Sequence, residues 1–245
     1  MTATVALTGA AGGVGTTRLT VECAGTLARA GYDVAVLDAA YDTQGLAAYV
    51  DGQLGTDITE VVTEDRDLAA ALVEHPADTA GRLALAPARA PFERLARAKT
   101  AGAAERFEER MAAAALSHDL VLVDTPPVAD NQAVAAVTAA DRVAVVTTDS
   151  ERGADALARA RGRLQDIGTA ADTVLVNRTG EPVAVTEADA AVPVAESHRA
   201  ADAPVCLTPD ETFAPAAAAA AELVADVSLD LEFPSGGRLD GLFDG

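Results

Sequence analysis

The segment Thr8-Gly9-Ala10-Ala11-Gly12-Gly13-Val14-Gly15-Thr16-Thr17 joins an apolar run, Thr4 to Leu7, to a stretch of helical composition from Thr16 to Arg29. Four glycines at such a junction free the backbone for left-handed turns and for close approach of a ligand. The N–H groups and dipole of the following helix favour an anion there. The chemistry this predicts is phosphate binding. The plainer alternative is a tight turn that only packs the helix on its strand. Three polar residues also close apolar runs: Asp38 after Asp33 to Leu37, Asp124 after Leu120 to Val123, and Asn177 after Thr173 to Val176. In an open parallel sheet, ligands sit at the carboxyl ends of the strands, where all three residues fall.

The elements that must position these residues form a three-layer, Rossmann-like α/β fold. Short apolar runs alternate with Ala-rich stretches, the rhythm of a mainly parallel sheet with helices on both faces. Further strands are expected at Arg82 to Ala86 and Arg142 to Thr147, with short late strands at Val192 to Val194 and Pro204 to Leu207. Asp57 to Val62 and Leu68 to Leu72 read as short elements. Helices are expected over Glu93 to Leu116, with Gly102 as the point of any break, over Asp155 to Gln165, and over Pro215 to Asp226, which is rich in the best helix former. The charged run Glu105 to Arg110 reads as a solvated helix face with i,i+4 pairs. One domain spans residues 1–227. From 228 to 245 the chain turns acidic and Gly-rich and reads as a solvated tail, with Leu231, Phe233, Leu239, Leu242 and Phe243 as candidates for a short partner-binding motif.

Two phosphate-binding families resemble the loop. Thr8 to Gly15 resembles the TGxxxGxG start of short-chain dehydrogenases, with Asp38 placed to hold an adenosine ribose of NAD(P). That resemblance implies a Tyr-x-x-x-Lys pair, but Leu95 stands four places before the sole lysine, Lys99. It survives only as a nucleotide-binding relic. Ala10 to Thr17 resembles instead the deviant P-loop of the ParA/MinD ATPases of the SIMIBI class, written GKGGVGKT. His118-Asp119-Leu120-Val121-Leu122-Val123-Asp124-Thr125-Pro126-Pro127 looks like that family's Walker B strand and DTPP turn. Ala139 to Thr147 resembles its next strand, and Val174-Leu175-Val176-Asn177-Arg178 the strand whose Asn reads adenine. The series covers most of residues 1–225, and a dehydrogenase offers no reason for it.

The ParA/MinD resemblance implies ATP or ADP with Mg2+, held by Gly12, Gly13, Val14, Gly15, Thr16 and Thr17, with Asn177 on the base. Thr17 and Asp124 would hold the metal, Asp124 through water. The sequence departs from the family at three places. Ala11 and Thr16 stand where its two loop lysines belong, and Ala40 replaces the second carboxylate of its Asp-x-Asp; Asp38 is kept, and Asp42 falls two places late. Phosphoryl transfer rests on positioning and charge stabilisation, so these losses predict impaired or absent hydrolysis. Arg18 is expected to point along its helix away from the phosphates. An arginine from elsewhere, or Asp42 in a rearranged loop, are the remaining routes to restoration. The implied function is a nucleotide-binding switch or partner-recruiting protein of the partitioning or positioning type, as a homodimer or a heterodimer with a paralogue. The alternatives are a pseudo-ATPase scaffold that binds no nucleotide and, third, an NAD(P)-binding Rossmann protein.

Composition narrows the partners. A net charge of -20 sets a field that repels DNA phosphates and anionic lipid heads. DNA binding therefore finds no support. The acidic tail also lacks the basic amphipathic helix that anchors MinD-like proteins to membranes, so no membrane anchor is expected. Thirty-eight acidic against 18 basic residues, only one of them lysine, resembles a salt-adapted cytoplasmic proteome. Cys23 and Cys206 stand far apart without a CxxC and read as buried thiols. His75, His118 and His198 are scattered and read as surface or capping residues.

Overall fold

The computed structural model describes residues 2–76, 79–180 and 185–234. Eight strands make one sheet: β1 (Ala3–Gly9), β2 (Asp33–Asp38), β3 (Val73–Glu74), β4 (Arg82–Ala86), β5 (Leu120–Thr125), β6 (Arg142–Thr148), β7 (Thr173–Thr179) and β8 (Ala190–Pro193). Their spatial order is β3-β4-β2-β5-β1-β6-β7-β8. Every pairing is parallel except β3 with β4.

The strands are apolar on both sides because both faces are covered. On one face α1 (Thr16–Arg29) and α7 (Phe213–Ala225) bury Leu19, Leu27, Phe213 and Val224 against Val5, Leu7, Val34 and Leu122. On the other lie α2 (Ile58–Glu64), α3 (Phe92–Ala98), α4 (Ala101–Ala115), α5 (Asn131–Ala139) and α6 (Glu151–Asp166), whose Ile58, Phe107, Met111 and Leu164 meet Ala6, Leu37, Val121 and Val145. This is the three-layer fold expected from the sequence. Because β1 leads by α1 to β2 on one side and β5 leads by α5 to β6 on the other, the chain reverses direction at the β1–β5 pair. That reversal opens a crevice at the carboxyl ends of these strands.

Several local expectations are corrected. The helix expected over Glu93 to Leu116 is two helices, and the break falls at Lys99 and Thr100, where Thr100 is extended (φ -73°, ψ 156°), while Gly102 lies inside the first turn of α4. Pro204 to Leu207 forms a 3₁₀ turn at Val205–Leu207 rather than a strand, because it wraps α1, where Gly25 meets Pro204 and Cys206. The short element expected at Asp57 to Val62 is α2, which Asp57 caps by accepting from Thr59 N at 2.7 Å. The arginines of the charged run in α4 do not pair within their helix. Arg106 donates to the Val62 carbonyl and Arg110 pairs with Asp65 at 2.5 Å, so both tie α4 to the end of α2. Helix α5 had no counterpart in the sequence reading, although Asp130 caps it by accepting from Ala133 N at 3.3 Å.

Both cysteines are buried. Residues 228–234 pack against both α7 and α1: Leu229 N donates to Glu222 of α7 at 2.6 Å, Arg29 of α1 donates to the Glu232 carbonyl at 2.7 Å, and the Arg29 guanidinium lies 5.1 Å from the Phe233 ring centroid. Leu239, Leu242 and Phe243 lie outside the described residues. Among the described residues no helix is long and apolar enough to cross a membrane.

Candidate functional site

β1 delivers the chain to the Gly-rich loop, which Ala10 N anchors to the Val146 carbonyl at 2.8 Å. Gly13 (φ 77°) and Gly15 (φ 90°) take the left-handed region that disfavours any residue with a Cβ. Between them Val14 is buried against α1 and the sheet. Gly15 stands at the N-cap of α1 and has no side chain, so the donors of the first helical turn receive no side-chain cap. Gly12, Gly13, Gly15, Thr16 and Thr17 thus form an open ring of backbone around the N-terminus of α1, the arrangement that binds anions. A 3₁₀ turn at Gly45–Tyr49, which the sequence reading missed, closes over it. A Cβ on Gly45 would sit 3.3 Å from Thr17 Oγ1.

Beside the loop lie two buried carboxylates. Asp38 and Asp124 are register partners at the ends of β2 and β5, with 0% and 1% of their surface exposed. Asp38 accepts from Ala40 N at 2.8 Å and Ala88 N at 3.0 Å. No donor lies within full hydrogen-bonding distance of either oxygen of Asp124, and the Thr17 hydroxyl is near enough to act on it. Burial pushes both carboxyls well above the usual range. The charge of Asp124 pushes Asp38 further, and the Thr17 hydroxyl offsets part of the rise at Asp124. Two adjoining buried carboxyls, one of them with only the Thr17 hydroxyl near it, form a site short of positive charge. A dication fits that deficit, although among the described residues no three His, Cys, Asp or Glu side chains converge on one point.

The remaining sequence candidates are placed as follows. Asn177 lies under the loop, 6% exposed; its Nδ2 donates to the Val14 carbonyl at 2.9 Å and its Oδ1 accepts from Arg178 N at 2.9 Å. It braces the loop from below. Asp42 is held by Lys99, outside the buried pair, and Lys99 also reaches Asp130 at 3.7 Å. The sole lysine therefore joins the loop after β2 to the start of α5. Arg18 turns along α1 as expected, paired with Glu22 at 2.6 Å and donating to the Ser197 carbonyl at 3.3 Å. Ala11 is exposed at the rim, and Ala40 is buried with only its backbone in contact with Asp38. Next to the loop a cavity of about 340 Å³ is lined by Gly15, Thr17, Tyr49, Arg178, His198 and Phe213, among others. Arg178 and Tyr49 were not singled out from the sequence, since each reaches the site only through tertiary folding.

A family model described as an AAA domain matches residues 2–178, well over half of the chain. The chain belongs to the ParA/MinD-like P-loop ATPase family. No curated protein matches in sequence. Among solved structures, a chain of the MinC:MinD cell division protein complex of Aquifex aeolicus superposes with a TM-score of 0.76 at 21% identity, over 96% of this chain and 100% of its own length. MinD with Mg-ADP from Pyrococcus horikoshii gives 0.76 at 20% identity, over 91% and 95%. A ParA family ATPase from Chlorobium tepidum gives 0.73 at 18%, over 90% and 99%. The shared feature is the P-loop fold. Against the ParA/MinD pattern, this chain keeps the loop backbone, Thr17, Asp38, Asp124 and Asn177, and lacks the lysines at positions 11 and 16.

Proposed function

We propose that the chain is a nucleotide-binding switch of the ParA/MinD type, taking ATP or ADP with Mg2+ in the loop from Gly12 to Thr17 and turning it over slowly or not at all. The observation that carries this reading is Asp124: a buried carboxyl with no donor at full hydrogen-bonding distance, beside Thr17 and Asp38 and below a helix N-terminus that has no side-chain cap. A purely structural turn has no use for such a group, because an unpaired buried carboxylate destabilises the fold. Magnesium would supply the positive charge that offsets these carboxylates and draws in phosphate oxygens. Thr17 and Asp124 would hold it, and the loop N–H groups would cradle the phosphates. The Pyrococcus relative is a complex with Mg-ADP.

Turnover is a separate question. Thr16 and Ala11 place no cation on a terminal phosphate, Ala40 has no carboxylate to orient water, and Asp42 is occupied by Lys99. These side chains support binding without efficient hydrolysis. By analogy with the cell-division and partitioning relatives, the bound state would favour a homodimer, or a heterodimer with a paralogue, that recruits a protein partner. A scaffold that binds no nucleotide draws support from Asn177, whose amide braces the loop without any ligand.

Thermal unfolding in molar KCl with Mg2+ separates the two readings. ATP or ADP at a hundred times its Kd should stabilise the protein by about 2.7 kcal/mol. Thr17→Ala and Asp124→Ala should abolish the shift, and NAD should produce none. No shift with any nucleotide would leave the scaffold reading standing. Magnesium-dependent ATP hydrolysis by clean protein, lost in Asp124→Ala, would refute impaired turnover.

A further inference from the structure

The loop lacks both family lysines, yet one cation rests on it. Arg178 follows the bracing Asn177 at the end of β7 and takes a left-handed backbone conformation (φ 59°). Its Nη1 donates to the Gly13 carbonyl at 3.2 Å, and a Cβ on Gly15 would lie 3.7 Å from its Nη2. Among the described residues it has no carboxylate partner, although carboxylates outnumber basic residues by two to one in this chain. Arg18, which lines the same cavity, is paired with Glu22 and donates to the Ser197 carbonyl, so its charge is already offset by a buried carboxylate although its Nη2 has no partner. An unpaired guanidinium on a ring of open N–H groups is suited to a phosphate, since its planar fork has five donors and only one here is bonded to the loop.

We infer that Arg178 is the phosphate-binding cation of this protein, replacing from the end of β7 the charge that Ala11 and Thr16 no longer supply. The inference rests on the nucleotide reading and deepens it. The group it recognises is the phosphate chain, and the base plays no part in its contact. The position also fits a switch without turnover, because a cation approaching from the β7 side adds affinity without restoring the lysine of the helix N-terminus. The left-handed backbone at 178 is one such a residue rarely adopts, and here it turns the side chain back over the loop.

The test compares wild type, Arg178→Gln, Arg178→Lys and the double variant Arg178→Gln/Thr16→Lys, titrated with Mg-ATP and with inorganic tripolyphosphate and read by thermal protection. Arg178→Gln should keep the ligand-free unfolding temperature and lose affinity for both probes by about tenfold or more, the scale of one charge-assisted hydrogen bond. Arg178→Lys should retain part of it, and Thr16→Lys should restore it in the double variant, a gain that misfolding cannot mimic. Equal affinity of wild type and Arg178→Gln for both probes overturns the Arg178 assignment and leaves the nucleotide reading intact. Loss for ATP with tripolyphosphate unaffected also overturns it, since the contact would then be with base or ribose. No protection of wild type by either probe overturns the nucleotide reading, and the assignment falls with it.

Discussion

Gly15 and Asn177 define each other. Gly15 has φ 90° and ψ 24°, and a Cβ there would fall 2.4 Å from Asn177 Nδ2, so neither its backbone nor its surroundings accept a side chain. Asn177 in turn holds the Val14 carbonyl across 163 positions of sequence. The family resemblance gives this Asn to adenine; the geometry gives it a loop to brace whether or not a base is present. Asn177→Ala should therefore lower ligand-free stability by about 1–3 kcal/mol, the penalty for leaving buried backbone groups unpaired. Gly15→Ala should lower it by about 2 kcal/mol from backbone strain and the clash. Because the clash is with Asn177 itself, the double variant should lose less than the sum, and denaturant unfolding of all four proteins measures that coupling. Unchanged stability in Asn177→Ala would show that the brace contributes nothing and that the residue is kept for a ligand.

At the scale of elements, α1 carries the loop at one end and a buried charge in its middle. Glu22 is fully buried, paired with Arg18, and accepts from Val205 N at 2.7 Å, which ties α1 to the turn before α7. Burial raises its carboxyl above the ordinary glutamate value of 4.5, and Arg18 and the Val205 N–H only partly offset this. A raised folded value means that the native state holds the proton more tightly than the unfolded chain. The stability this adds is full below pH 4.5 and is lost as pH rises through the folded value. Glu22→Gln cannot titrate, so the difference in unfolding temperature between Glu22→Gln and wild type should grow as pH rises from 4.5; a constant difference would mean that Glu22 titrates normally. Elements of this kind were legible where the pattern was local. The apolar runs of β1, β2, β5 and β6 and the Gly-rich junction announced the sheet and the loop. Helix α5 was hidden because Ala133, Ala135, Ala136 and Val137 are as apolar as a strand, and only Asp130 as a cap signals its start. The break between α3 and α4 carried no Gly or Pro at the residues that bend. Arg178 was not recognisable as a loop residue because its partner Gly13 lies 165 positions away and is brought close only by the order of β1, β6 and β7.

For the whole molecule the decisive number is the net charge of -20. Two electrostatic effects oppose each other when salt is added. Ion pairs such as Arg161–Glu187 and Arg110–Asp65 lie partly in solvent, contribute about 0–1 kcal/mol each, and weaken with screening. Repulsion among the excess carboxylates destabilises the compact state and weakens as well. With 38 acidic residues against 18 basic ones, negative charge stays in excess even where one cation serves two carboxylates, as Lys99 does for Asp42 and Asp130, so relief of repulsion outweighs loss of pairs. Screening shortens from about 10 Å at 0.1 M salt to about 3 Å at 1 M, which is near contact distance, so the gain should continue into the molar range. The unfolding temperature should therefore rise steadily with KCl, measured without nucleotide so that phosphate binding does not enter. Binding of Mg-ATP should weaken over the same range, because the contacts of Arg178 and magnesium with phosphate are themselves screened. A protein whose stability falls with KCl would place its acidic residues in partnerships the fold depends on, and the salt-adapted reading of the composition would have to be given up.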